Sequence, residues 1–335
     1  MQNAPTAAVP ATLPCAPPVH AASNGRPTIE LHRLHRIFGS THAVNDISFE
    51  VHRGQVFGYI GPNGAGKTTS MRILSTLDLP SYGDAYVDGF SCINDPDRVR
   101  RRLGFMPDYF GTYANVNCWE YLDFFARAHG LVGRERSQAL RRVMAFTGLD
   151  ILAEKPIRGL SKGMKQRLCL GRTLIHDPAV LILDEPAAGL DPRARIELRE
   201  MIGQLAADGK TLLVSSHILT ELAEMCDQVA IIEQGRLLAT GSVREIQRAQ
   251  RKHSEVKARV MGGAHALSQW LGAREDVQNI RLNGEYVTFA HLGAGEQEVA
   301  LLRAMVLEGF AVLEFGSHEV TLEDVFLEVT RGYVQ

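Results

Sequence analysis

The segment Gly61-Pro62-Asn63-Gly64-Ala65-Gly66-Lys67-Thr68 restricts the possible folds of this chain more than any other. It matches G-x-x-x-x-G-K-[ST] and stands between an apolar run, Gln55–Ile60, and a helical pattern predicted from Lys67 to Leu77. Glycines let the backbone curl so that successive N–H groups point at one anion, and the start of the helix adds a favourable dipole. Lys67 is placed to neutralise β- and γ-phosphates, and the Thr68 hydroxyl to hold Mg2+. Alone, the segment leaves kinases, GTPases and ATPases open.

Val180-Leu181-Ile182-Leu183-Asp184-Glu185 supplies a second half. Four consecutive apolar residues predict a fully buried strand, and ligands of open α/β sheets sit at the C-terminal ends of such strands. Asp184 is then positioned to bind Mg2+ directly or through water, and Glu185 to polarise an attacking water as general base. An isolated Asp-Glu pair after a strand is more often a helix cap. Its partnership with the glycine loop favours the catalytic reading.

Strand-like alternation at Ile29–Leu31, Ile47–Val51 and Gln55–Ile60 precedes the glycine loop; helical patterns cover 109–150, and strands at Ala179–Leu183 and Thr211–Val214 flank a helix near Arg193–Ala207. Strand and helix in alternation predict an α/β fold with a parallel sheet, a P-loop NTPase. After Glu245 the pattern changes: strand 256–260, helix 264–272, strands 277–281 and 285–291 around Asn283-Gly284, helix 295–308, strand 311–315 and a last helix 321–330. That βαββαβ order is a split βαβ, ferredoxin-like α+β arrangement. The expected division is a tail at 1–27, a nucleotide-binding domain at 28–255 with a helical subdomain at about 109–165, and an accessory domain at 256–335.

The tail holds six of the 14 prolines and many alanines, which predicts disorder. With 45% apolar residues, 22% charged and a formal net charge of −2, the 335-residue chain lacks the basic excess of a nucleic-acid binder. Its five cysteines are scattered and form no CxxC pair, which argues against a disulfide framework or zinc site and fits a reducing compartment. No apolar run reaches the roughly 18 residues of a membrane span, and the N-terminus lacks a signal-peptide pattern, so work at a membrane would need recruitment by a partner.

Leu160-Ser161-Lys162-Gly163-Met164-Lys165-Gln166-Arg167 resembles the LSGGQ-type signature of ABC ATPases. Pro186-Ala187-Ala188-Gly189-Leu190-Asp191-Pro192 resembles their D-loop, and Ser215-Ser216-His217 their switch-histidine segment, all in the family's order across residues 29 to about 245. The resemblance implies a homodimer that sandwiches two ATP molecules. Ser161 and Gly163 of one subunit would cap the γ-phosphate held by the other, with Asp191 close by, although Ser161 also reads as an ordinary helix cap. His217 would help organise the attacking water. Phe38 falls where the family stacks an aromatic on adenine, the alternative being core packing, and Thr69 completes the phosphate loop. The family's usual glutamine after strand Leu103–Pro107 is Asp108 here. Asp keeps an oxygen for Mg2+ but is one methylene shorter, adds charge and loses the amide donor.

The same resemblance implies a separate membrane permease, met by a groove near residue 108. Of the seven aromatics between Tyr109 and Phe125, about half are expected in the subdomain's own core. The end, Thr321–Thr330, resembles the tail of exporter subunits for drugs, lipids and polysaccharides, with an apolar stripe at Leu322, Val325, Phe326 and Val329. The chain is thus expected to hydrolyse ATP to energise export, at the cytoplasmic face of the inner membrane. The rival is a soluble ABC ATPase of translation or DNA repair, whose usual second nucleotide domain, coiled-coil insertions or metal-binding cysteines are not visible here.

Overall fold

The computed structural model describes residues 25–109, 111, 115–249, 254–293 and 295–318. Most of the expected tail, the closing helix with its apolar stripe, Phe110 and Tyr113 lie outside them. The chain divides into two compact units. One takes the described residues up to Ser215 together with Gln228–Gly241; the other takes Ser216–Asp227 and the described residues from Ser242 onward.

In the first unit, β1 (Ile29–Phe38) and β2 (Thr41–Val51) pair antiparallel, with Ile29 opposite Val51. Next come β3 (Val56–Ile60), α1 (Lys67–Leu74), β4 (Tyr82–Val87), β5 (Phe90–Ser91), α2 (Pro96–Arg102) and β6 (Leu103–Met106). Helices α3 (Cys118–Ala128), α4 (Gly133–Thr147) and α5 (Lys162–Leu174) lead to β7 (Val180–Leu183), α6 (Pro192–Ala207), β8 (Thr211–Ser216), β9 (Gln228–Glu233) and β10 (Arg236–Ser242), the last residues of β8 and β10 being the points where the chain passes to the second unit.

Two sheets result, with orders β2-β1-β4-β5 and β10-β9-β3-β8-β7-β6. The expected parallel pairing holds in the second, where β3–β9, β6–β7 and β7–β8 run parallel. The first two strands instead form an antiparallel sheet with β4. Only Gly39 and Ser40 separate β1 from β2, a link that permits antiparallel pairing alone, whereas parallel neighbours need a long crossover. Phe49 of β2 stacks on Phe57 of β3 with centroids 5.1 Å apart, joining the sheets through a common core. Every residue of β3 and β7 is buried, as their unbroken apolar runs require.

Helix α1 ends at Leu74, short of the expected Leu77: the Ser75 hydroxyl donates to the Met71 carbonyl, and Thr76 turns into the left-handed region with φ +57°. The helix expected from residue 109 begins only at Cys118, the described residues 109, 111 and 115–117 being non-helical, and the pattern then separates into α3 and α4 at Gly130, φ +78°. Asn117 opens α3 through a capping box with Glu120. Of the five described aromatics between Tyr109 and Phe125, Tyr121 is buried and Phe125 half-buried; Tyr109, Trp119 and Phe124 are exposed.

The second unit contains α7 (Leu219–Met225), α8 (Val243–Ala249), β11 (Ser254–Val260), α9 (Ala264–Gly272), β12 (Val277–Asn283), β13 (Tyr286–His291), α10 (Glu296–Leu307) and β14 (Val312–His318). Its sheet order, β12-β13-β11-β14, is the antiparallel arrangement that a βαββαβ chain builds when both helices cross over. Val256, Leu267, Leu271, Phe289, Leu301 and Met305 fill its own core.

Candidate nucleotide site

The loop from Gly61 to Gly66 leaves the end of β3 and delivers Lys67 as the first residue of α1. Gly66 caps the helix with φ +103°, and a Cβ there would strike the Ala43 carbonyl oxygen, so only glycine fits. The turn between β9 and β10 braces the loop: Gly235 N–H donates to Ala65 O at 2.9 Å, and Asn45 N–H to Gly235 O at 2.7 Å. Gly66 offers α1 no side-chain cap, and the first turn carries no acidic residue. The first amides of α1 thus receive neither a side-chain cap nor an acidic neighbour, the condition under which a helix start takes an anion. Pro62, Asn63, Gly64 and Thr68 are exposed; Gly61 and Ala65 are buried, and Thr69 is half-buried.

Lys67 is only 6% exposed. Its ammonium donates to the carbonyls of Gly61 (2.5 Å) and Pro62 (3.4 Å) and lies 3.4 Å from Glu185 Oε1. Without these partners, a buried ammonium would be strongly disfavoured.

Parallel register brings the carboxylates to the same sheet edge. Leu183 pairs with Met106 and Val214, and Asp184 N–H donates to Met106 O at 2.8 Å. Asp184 is fully buried. Its Oδ1 accepts a 2.6 Å hydrogen bond from Ser215 Oγ, while Oδ2 has no hydrogen-bond partner. Burial raises its pKa above the ordinary carboxylate value; the Ser215 and Thr68 hydroxyls oppose this, and the Asp108 and Glu185 carboxylates add to it. Thr68, Asp108, Asp184 and Glu185 therefore share one electrostatic neighbourhood, with Asp108 on its exposed side.

Glu185 is no helix cap. Its φ of +49° places a non-glycine residue in the left-handed region, a strained geometry of the kind that concentrates at working sites. Its N–H donates to Ser215 Oγ at 2.8 Å. Ser215 thus holds both acidic residues, a role its place in the switch segment did not reveal. The signal was a hydroxyl directly after the apolar run Leu212–Val214.

The oxygen donors Thr68 and Asp184, with one buried carboxylate oxygen unpartnered, fit a hard divalent cation. Among the described residues, no group of three or more His, Cys, Asp or Glu could hold a metal ion unaided. A cation here would therefore complete its shell with phosphate oxygens or water.

Ser161 caps α5, accepting from Met164 N–H at 3.3 Å, so the ordinary-cap reading holds. Asp191 caps α6 in the same way, accepting from Ala194 N–H at 2.9 Å. The two helix starts are packed together: a Cβ on Gly163 would lie 3.2 Å from Ala194 Cβ, and buried Gln166 donates from Nε2 to Pro186 O at 2.9 Å. The Lys162 side chain lies over Gly189. Phe38 ends β1 and is exposed, which removes the core-packing alternative. His217 is the first residue past β8 and belongs to the second unit.

Comparison with known proteins is consistent with this geometry. Residues 44–188 match the family model for the ABC transporter. The Nod factor export ATP-binding protein I of Cupriavidus pinatubonensis is 33% identical over 94% of this chain and 95% of its own length. The bacitracin transport ATP-binding protein BcrA of Bacillus licheniformis is 33% identical over 89% of this chain and 96% of its own. A solved ATP-binding subunit of an ABC transporter superposes with a TM-score of 0.61 at 30% identity, covering 66% of this chain and 92% of that one. With phosphate loop, buried acidic strand end, signature helix and near-full-length similarity in agreement, the chain belongs to the ABC transporter family as an ATP-binding subunit, one that hydrolyses ATP to energise transport.

Proposed function

We propose that the loop Gly61–Thr69 cradles the phosphates of ATP while Lys67 neutralises them. Glu185 accepts the proton of the water that attacks the γ-phosphate, releasing ADP and phosphate. The observation that carries this reading is the 3.4 Å approach of Lys67 Nζ to Glu185 Oε1, which puts the phosphate-binding cation beside the base. Thr68 and Asp184 would hold Mg2+, with Asp108 as a further oxygen donor; bound there, the cation supplies charge neutralisation on the phosphate oxygens. Phe38 stacks on adenine. Ser161 and Gly163, with Asp191 beside them, face the γ-phosphate of a second copy in a head-to-tail dimer, and His217 helps orient the water.

The relatives' names, Nod factor export and bacitracin transport, favour export as the direction of transport. No helix among the described residues is long and apolar enough to cross a membrane, so in this reading a separate permease supplies the pathway. The chain then sits peripherally on the cytoplasmic face of the inner membrane. Residues 256–335, with a core of their own, serve regulation or assembly and leave hydrolysis to the first unit and His217.

The test is Glu185→Gln. Turnover should fall on the order of 10²–10⁴-fold with ATP binding retained, the usual worth of a general base. Light scattering with Mg-ATP should show a dimer. Normal turnover by a monomer would count against both the base and the sandwich.

A further inference from the structure

Phe38 is 48% exposed, and an isolated exposed phenylalanine needs no explanation. What lies against it does. The guanidinium carbon of Arg36 is 4.4 Å from the centre of the Phe38 ring, within cation–π range. Arg36 is itself anchored, its terminal nitrogen 2.8 Å from Asp78 Oδ1, with the two side chains only 24% and 20% exposed. The Arg36 Nε is buried without a hydrogen-bond partner. The guanidinium thus forgoes one bond that solvent would supply, and it is the Asp78 carboxylate and the ring that hold it. Among the described residues, no other ring or cation contacts Phe38.

We propose that Arg36 is a positioning residue for the nucleotide base. It covers one face of Phe38, so a purine can stack only on the other, in a three-layer order of guanidinium, phenyl ring and base. This rests on the reading that Phe38 stacks on adenine, and it adds the reason that the ring is ready to do so. A phenylalanine on a strand end would otherwise sample several rotamers and lose that freedom on binding. The cation beneath also draws π-density from the ring, which makes its open face a better partner for an electron-rich purine. Asp78 completes the device by anchoring the guanidinium beside the ring.

The test is a double-mutant cycle on the full chain, read by calorimetric titration with Mg-ADP, which binds without turnover. Arg36→Met should weaken ADP about two- to fivefold, the worth of an exposed cation–π contact. Phe38→Ala should weaken it by about tenfold or more, the worth of a base–aromatic stack. The double variant should match Phe38→Ala alone, and Arg36→Lys should recover part of the loss. In steady state, Arg36→Met should raise KM for ATP by the same factor, with kcat at saturation within about twofold. An Arg36→Met loss that persists undiminished beside Phe38→Ala would mean that Arg36 touches the nucleotide directly and would overturn the proposal. So would wild-type affinity in Arg36→Met. Wild-type affinity in Phe38→Ala would remove the stacking reading itself, and the proposal with it.

Discussion

Ser215 Oγ donates a 2.6 Å hydrogen bond to the buried Asp184 carboxylate, and the same oxygen accepts from the N–H of Glu185 at 2.8 Å. One hydroxyl on β8 thus ties down the metal-side carboxylate and the strained backbone of the neighbouring acid.

Ser215→Ala leaves a buried carboxylate oxygen and the Glu185 amide without this partner. The cost should be about 1–3 kcal/mol, a drop of several degrees in melting temperature. Turnover should fall with it, because Glu185 loses the bond that supports its left-handed backbone. Calorimetric melting and steady-state turnover check both. Wild-type values in each would show that Ser215 merely fills space.

The raised pKa of Asp184, caused first by burial, has a signed consequence for stability. A carboxylate whose folded pKa exceeds its unfolded one makes the folded state bind more protons. Stability therefore falls as pH rises from the unfolded pKa through the folded one, and the penalty persists above it. In nucleotide-free, metal-free protein, Asp184→Asn should raise the melting temperature at about pH 7.5, with the gain vanishing toward about pH 4. A gain that does not depend on pH would place the effect outside the carboxylate's charge.

His129 and His176 stack face to face, with centroids 3.9 Å apart and rings 4° from parallel. Burial first, then the His129 charge, pushes His176 down from 6.5 to about 4. Here the sign reverses: between these values the unfolded chain binds the proton and the folded chain resists it. Stability is complete above about 6.5 and is lost as pH falls toward about 4, by roughly 3 kcal/mol at most. His176→Phe keeps a ring on His129 and should flatten that acid loss in urea denaturation measured at several pH values. An unchanged slope would mean that His176 titrates normally.

Gly189 has φ +65°, and a Cβ there would collide with the Lys162 ammonium and lie 3.4 Å from its Cε. Gly189→Ala should cost about 1–2 kcal/mol from backbone geometry, plus the displacement of Lys162. Removing the lysine stem relieves the second part. Lys162→Ala with Gly189→Ala should therefore be less destabilised than the sum of the single variants, as measured by denaturant unfolding. Strict additivity would show that the two residues do not touch.

How far the sequence could be read depended on how local each feature is. The glycine loop, the βαββαβ order of the later segment and the strand before Asp184 all follow from neighbours a few residues apart, and each was placed within a few residues of its observed bounds. The aromatics before α3 and within it were harder. Nothing in the spacing of Tyr121 and Phe124 says that the first is buried and the second exposed. That depends on which face of α3 meets α4 and α5. Local patterning likewise does not mark the antiparallel sheet of β1, β2, β4 and β5 as a separate layer, because its membership is settled by pairing between distant segments.

By itself, the sequence determined the phosphate loop, the acidic strand end and the family, since those rest on residue type at fixed short spacing, where backbone geometry leaves few alternatives. Only the tertiary structure decided that Ser215 serves Asp184 and Glu185, that Arg36 lies on Phe38, and that Lys162 covers Gly189. For Ser215 and Asp184, the partners are 31 residues apart in the chain and meet because β7 and β8 pair in one register, Leu183 beside Val214. A slip of one residue would turn the Ser215 hydroxyl to the other face of the sheet, since successive strand side chains alternate. No local pattern carries that information; it is held by the apolar packing that sets the register of buried strands.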